Sequence, residues 1–182
     1  MVARKRIIRS LPAWAALVIA VAVEGQCRNL TAALDSMAPA TIEIRNERAE
    51  IVELEVRVAN NMTERAGGFQ HLCPEVIRTT AILFVYMEPR LGRFHMRNVY
   101  APLDIAFIAD DGRIVEIQRM EAEPPGLPVI PRTYGPARAF RFALEARAGF
   151  FASNDIGVGV SLFDATGFSA APRIGPSTRG AQ

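Results

Sequence analysis

The sequence predicts a mostly β protein: a single-domain antiparallel β-sandwich or jelly-roll-like barrel with one or two short helices. Apolar and polar residues alternate along residues 51–59 and again along residues 140–145, which is the pattern of half-buried antiparallel strands. At least six short strand-like segments with turn signals lie within one stretch of about 120 residues, enough for a single domain with one core. Repetition of short strands at this spacing favours a sandwich or barrel.

The remaining strands follow from local patterns. Residues 81–87 (AILFVYM) form a continuous apolar run, which suits a strand covered on both faces. Residues 103–109 and 113–120 flank Asp110-Asp111-Gly112, and Asp-Gly is a strong hairpin signal because it tolerates the positive φ values of the turn. Residues 156–162 (IGVGVSL) predict a last strand, with glycines that indicate a bulge or a close backbone approach.

Two segments predict helices and one predicts a loop. Residues 63–72 can begin at a capping Asn61 or Thr63, although the pair Gly67-Gly68 weakens this helix. Residues 146–153 predict one or two helical turns. Residues 121–136 contain five prolines and therefore predict an extended loop.

The N-terminus has the layout of a secretory signal peptide. Four basic residues within residues 4–9 precede the apolar run 11–23, and Ala20 and Ala22 offer an A-x-A cleavage site. The apolar run is short for a membrane span. We therefore expect residues 1–22 to be removed and the protein to be periplasmic or secreted; an uncleaved N-terminal anchor, which would place the protein at the membrane, is the alternative.

Processing changes the charge and with it the expected partners. The full chain has 21 Lys and Arg against 19 Asp and Glu, and residues 1–22 hold four of the basic residues and none of the acidic ones. The mature chain therefore has net charge −2. A basic footprint for nucleic acid should survive processing, so we expect no nucleic-acid binding.

The mature chain divides into three parts. Residues 23–40 predict a flexible lead-in, residues 41–163 the β-rich domain, and residues 164–182, rich in Gly, Pro, Ser and Ala, a disordered tail. Two cysteines remain. Cys73 is interpreted as a small buried hydrophobic residue. The alternative is a disulfide with Cys27, which the compartment of an exported protein would permit.

Polar residues among apolar ones mark a candidate binding site. If residues 94–99 (FHMRNV) are extended, His95 and Arg97 share one face, where a flat ring and a guanidinium suit an anion or a polyol. Asp104 lies on the opposite face from its neighbours Leu103 and Ile105, and could instead form an internal ion pair with Arg97, with Asn98 capping the loop backbone.

Catalytic and metal sites have weaker support. His71 and His95 each have a sulfur neighbour, Cys73 and Met96, which would suit a soft metal, but their spacing matches no ligand motif. The Ser and Thr residues do not lie in any of the sequence motifs that surround catalytic nucleophiles. His95 could act as a general base oriented by Asp104, but such His–Asp pairs occur by chance in many folds. The sequence therefore assigns no catalytic residue, metal or cofactor.

Five motifs in order resemble the domain of unknown function family 192. They are Arg65-Ala66-Gly67-Gly68-Phe69, Ile82-Leu83-Phe84-Val85, Phe94-His95-Met96-Arg97-Asn98, Pro102-Leu103-Asp104-Ile105 and Asp111-Gly112. The family pattern has Leu-Met at Gly68-Phe69, Arg at His71, Met at Ile82, and Trp and Lys at His95 and Arg97, so this chain is divergent. The resemblance implies a compact, mostly antiparallel β fold in a frequently exported protein, and it implies no reaction.

These observations favour non-enzymatic binding of a small polar ligand, such as a sugar or a carboxylate. The expected ligand-binding residues are Arg65, His95, Arg97, Asn98 and Asp104. The alternatives are a structural or accessory envelope protein that docks to a protein partner and, with less support, a metal-binding protein or an enzyme.

The predicted signal peptide gives a direct test. We expect the exported protein to begin near Val23, because the basic region, the apolar run and the small residues align with cleavage there. N-terminal sequencing of exported material checks this. A mature chain that retains Arg4–Arg9 would show that the leader is an anchor.

Overall fold

The computed structural model describes residues 27–125 and 130–164, so the signal peptide predicted for residues 1–22 and the tail beyond Asp164 lie outside the described residues. Within them are nine strands and four short helices. The strands are β1 (Ala38–Arg45), β2 (Ile51–Ala59), β3 (Ile82–Arg90), β4 (Phe94–His95), β5 (Leu103–Ile108), β6 (Ile114–Met120), β7 (Thr133–Tyr134), β8 (Phe140–Arg147) and β9 (Ser161–Asp164). The helices are α1 (Ala32–Ser36), α2 (Met62–Gly67), α3 (Pro74–Thr79) and α4 (Phe150–Ser153).

Seven strands form one mixed sheet in the order β6-β5-β8-β3-β2-β1-β9, and β4 pairs with β7 in a separate two-stranded ribbon. The mostly β class is confirmed, but the sheet is not a closed barrel. It is also not wholly antiparallel, because β2 and β3 pair in parallel. Parallel neighbours need a crossover, and α2 and α3 lie in the connection between β2 and β3.

The sheet is covered on both faces, so the protein has two hydrophobic clusters. Phe84, Phe107 and Phe140 pack in the first cluster, with residues of α1, α3 and the segment before β5. Phe142 packs in the second, with residues of β1, β2 and α4. The single core expected from the sequence is therefore wrong, since alternate residues of the central strands face different layers.

Local chemistry explains several element boundaries. Asn61 caps α2 through a capping box with Glu64, as the sequence indicated. Gly112 has φ +83° in the β5–β6 hairpin, which is confirmed. The helix predicted for residues 146–153 is confined to α4 because β8 continues to Arg147. None of the helices in the described part of the chain has the length and apolar character needed to cross a membrane.

Two predicted strands are shorter than expected. Residues 156–162 do not form one strand: a turn precedes β9, and Gly159 there has φ +91°. Residues 94–99 are not extended throughout, because the strand ends at His95 and Asn98 has φ +60°. Asn tolerates this left-handed conformation better than most residues.

The lead-in predicted for residues 23–40 contains regular structure from α1 onward. The Thr31 hydroxyl caps α1, and β1 begins at Ala38 and pairs with β2. Cys27 forms a disulfide with Cys73, with 4.7 Å between the Cα atoms, so the interpretation of Cys73 as an unpaired hydrophobic residue was wrong. Backbone hydrogen bonds between Arg28 and the segment before α3 place the two cysteines side by side.

The two clusters give a stability prediction. Phe107 and Phe142 are essentially inaccessible to solvent, so replacing either by Ala should lower the free energy of unfolding by about 3–5 kcal/mol. Met87→Ala is the control, because its side chain is exposed and the change should be within about 0.5 kcal/mol. Chemical denaturation measures all three; a loss below about 1 kcal/mol for either Phe would contradict the packing described.

Candidate functional site

A cleft of about 120 Å³ opens on the face of the sheet that carries the first cluster. We call it the α2–β4 cleft. Its walls are the end of α2 and the following residues 65–70, part of β3, and residues 93–96 around β4. Leu103 of β5 and Glu145 of β8 complete it.

Glu145 is the buried acidic group of this cleft. Its residue is 5% exposed, and its neighbours across the sheet are Ile82 and Ile105. Within residues 27–125 and 130–164 its carboxyl group has neither a hydrogen bond nor an ion pair. Burial raises the pKa of Glu145 to about 8, because an ionised carboxylate is poorly solvated there. At neutral pH the group is therefore mostly protonated.

Tyr86 lies at the cleft between two guanidinium groups. Arg65 and Arg90 stand over its ring at 5.0 and 4.9 Å from the centroid. Burial raises the pKa of the Tyr86 hydroxyl, the two arginines oppose this, and Glu145 adds to it. The aromatic ring thus holds one cation of the cleft lining, Arg65, and a second one outside the lining, Arg90, by cation–π contact.

Arg65 is positioned by the start and end of α2. The capping box begins the helix three residues earlier, and the Arg65 guanidinium donates a 3.0 Å hydrogen bond to the Val85 carbonyl. Gly68 ends α2 with φ +45°, and a Cβ there would lie 3.5 Å from the Phe84 ring. Arg65 is half-buried and lines the cleft; its role in binding stays a prediction.

The β4–β7 ribbon supplies the outer groups. His95 and Arg93 are exposed and line the cleft. The Arg93 guanidinium donates to the hydroxyl and carbonyl of Thr133 at 2.7 and 2.9 Å, which fixes it to the neighbouring strand. Among the described residues, none of Arg65, Arg90 and Arg93 forms an ion pair with a carboxylate.

The other predicted residues lie outside the cleft lining. Arg97 is exposed, and its backbone bridges to Glu123. Asn98 joins two loops: its carbonyl accepts from the His71 N–H at 2.8 Å, and its side chain lies 3.4 Å from the His71 ring. Asn98 therefore holds residues 96–99 against the α2–α3 connection, as the capping alternative suggested.

Asp104 faces the second cluster and not the cleft. Its carboxylate accepts a hydrogen bond from the Arg119 guanidinium and a 2.6 Å bond from the Gly149 N–H. The hydrogen bond to Asp104 raises the pKa of Arg119. The expected pair between Asp104 and Arg97 does not form, because Arg119 lies directly opposite Asp104 on β6.

The structure gives little support for the metal site considered from the sequence. Cys73 is oxidised in the disulfide and is not a thiolate ligand. Among the residues described, no group of three His, Cys, Asp or Glu side chains is arranged to hold a metal ion.

Residues of four of the five quoted motifs line the α2–β4 cleft: residues 65–69, Phe84, residues 94–96 and Leu103. The profile of domain of unknown function family 192, described as an uncharacterised ACR, matches residues 42–163. The chain belongs to domain of unknown function family 192. No curated protein is significantly similar to it.

Solved structures support the fold of this family 192 protein. A candidate transcription regulator from Sinorhizobium meliloti 1021 is similar at 25% identity and a TM-score of 0.62, over 71% of this chain and 96% of that one. A protein of unknown function from Novosphingobium aromaticivorans DSM 12444 is similar at 23% identity and a TM-score of 0.58, over 74% of this chain and 98% of that one.

The sequence interpretation missed Glu145, Tyr86 and Arg93. Glu145 is the last residue of the alternating segment 140–145, whose pattern predicts a strand with one solvent-facing side, and only the placement of β8 between β3 and β5 buries it. The available signal was an acidic residue between Leu144 and Ala146 in a strongly apolar strand. A charge in that position is seldom buried without a reason.

The buried carboxyl group predicts a pH-dependent stability. The ordinary pKa of Glu is 4.5 and the folded-state pKa is about 8, so the unfolded chain loses this proton first as pH rises. Relative to Glu145→Gln, whose amide does not titrate, the wild type should lose about 3 kcal/mol of unfolding free energy between pH 5 and pH 8. Urea denaturation of both proteins at several pH values measures this, and parallel pH profiles would contradict it.

Proposed function

We propose that this family 192 protein is an exported protein that binds a small polar ligand, without catalysis, in the α2–β4 cleft. The observation that carries the proposal is that one cleft contains a buried Glu145 and two guanidinium groups, those of Arg65 and Arg93, and that none of the three forms an ion pair among the described residues. Concave sites with a few convergent polar groups and a perturbed pKa are typical binding sites.

The predicted residues divide into two groups under this proposal. Arg65 and His95 line the cleft and are the residues expected to contact the ligand. Arg97 lies outside the cleft lining, whereas Asn98 connects loops and Asp104 is paired on the other face of the sheet, so these two belong to the scaffold. Tyr86 and Arg93 take their places in the site.

Export is supported by the N-terminal sequence and by the disulfide. Disulfides persist in oxidising compartments and are rare in the bacterial cytosol. The bridge between Cys27 and Cys73 begins a few residues after the predicted cleavage site, so it would be retained in the mature chain. The absence of nucleic-acid binding stays a prediction, supported by the mature net charge of −2.

A second candidate is docking of an envelope protein. Met87 and Leu91, at the outer end of β3 and just beyond it, are 93% and 68% exposed. Large apolar side chains with this exposure are common in interaction surfaces when they are grouped. Replacing both by Asp would impair such docking and leave binding in the cleft intact.

A thermal-shift screen tests the proposed function. Sugars, carboxylates, phosphate and amines are added to protein produced from the full 182-residue chain, and at least one should raise the melting temperature. A ligand at 100 times its Kd stabilises the folded state by about 2.7 kcal/mol. Arg65→Ala should weaken binding by about 1.5–3 kcal/mol, the usual worth of a hydrogen bond to a charged group.

Arg48→Ala is the matched control. Arg48 is an exposed arginine paired with Asp155 and lies outside the cleft lining, so its loss should leave binding unchanged. A ligand-induced shift that persists unchanged in Arg65→Ala, or the absence of any shift across the screen, would count against the proposed function.

A further inference from the structure

We propose that the α2–β4 cleft takes a free short-chain organic acid, whose carboxylate lies between the guanidinium of Arg65 and the side chain of Glu145. This inference rests on the proposed function and narrows it to one chemical class. It also assigns Glu145 as the residue that determines specificity.

The charge distribution favours an anion. Arg65, Arg90 and Arg93 carry no ion-paired carboxylate within the described residues, and the first two stand over the Tyr86 ring. A guanidinium presents parallel N–H donors that match the two oxygens of a carboxylate. An ammonium ligand would face the guanidinium groups of Arg65 and Arg93 in the cleft lining and is therefore disfavoured.

The buried carboxyl group fits the same ligand. Glu145 is 5% exposed and has no hydrogen-bond or ion-pair partner among residues 27–125 and 130–164, so the ionised form would be a poorly compensated buried charge. Its neutral form offers one O–H donor, and a ligand carboxylate is a strong acceptor for that donor. The raised pKa of Glu145 agrees with this geometry.

The lining is mixed, and its apolar part favours an acid with a carbon chain. Phe69, Phe84, Phe94 and Met96 contribute to the walls, and the Phe84 and Phe94 rings contact edge to face at 5.1 Å. These side chains give a short alkyl or phenyl group an apolar surface to pack on, which a sugar ring with a hydroxyl on most carbons would use less well.

The protonation states define a pH window. The ligand must be ionised and Glu145 protonated, so affinity should be nearly constant from about pH 5.5 to 7.5. Above the pKa of Glu145 in the unliganded protein, which is about 8, affinity should fall by about tenfold per pH unit, because each bound carboxylate then requires a proton from solution.

Calorimetry with butyrate and benzoate tests the inference, with butyramide, inorganic phosphate and glucose as the comparison probes. Butyrate should bind at least about tenfold more tightly than butyramide, since the amide has no charge to pair with Arg65. Arg65→Ala should lower butyrate affinity by about tenfold or more, and Arg48→Ala should not.

Glu145→Gln separates the role of Glu145 from a loss of folding. Its amide still donates a hydrogen bond without titrating, so butyrate affinity at pH 7 should stay within about threefold and the decline above pH 8 should disappear. A decline of the same slope in Glu145→Gln would overturn the role of Glu145. Equal binding of butyrate and butyramide would overturn the carboxylate assignment.

The two proposals fail in different ways. If glucose or phosphate binds in an Arg65-dependent manner and neither butyrate nor benzoate binds, the ligand class is wrong and binding in the cleft stands. If no probe binds to the wild type or alters its melting temperature, the proposed function itself fails, and the carboxylate inference falls with it.

Discussion

The position of β8 in the middle of the sheet constrains most of this molecule. β8 lies between β5 and β3, and apolar layers cover both faces of the sheet. Alternation along β8 therefore sends Phe142 and Leu144 into one cluster and Ala143 and Glu145 toward the other face. One acidic side chain is buried as a result, and the α2–β4 cleft forms directly against it.

One disulfide and one set of hydrogen bonds hold the walls of the cleft in place. The disulfide between Cys27 and Cys73 fixes the N-terminal segment beside the start of α3. Asn98 then joins the α2–α3 connection to the segment after β4. The groups that line the cleft from α2 and from β4 are thus attached to one another as well as to the sheet, which favours a preformed site.

The cleft brings together groups that favour an anion and a carboxyl group that favours its neutral form. Guanidinium groups without an ion-pair partner in the described part of the chain favour an anion, whereas burial favours the neutral form of Glu145. The same burial that makes the carboxyl group a hydrogen-bond donor lowers the stability of the fold as pH rises. Such a cost is typical of functional sites, where a locally unfavourable group is retained for binding.

The sequence by itself determined the mostly β class, the β5–β6 hairpin, the capping at Asn61 and the family, because these depend on alternation and short motifs. It also selected Arg65 and His95, which are local to those motifs. The tertiary structure alone decided the parallel β2–β3 pairing, the disulfide, the partner of Asp104 and the burial of Glu145. Each of these joins segments far apart in the chain, and which segments become neighbours depends on how the whole sheet is ordered and not on any local pattern.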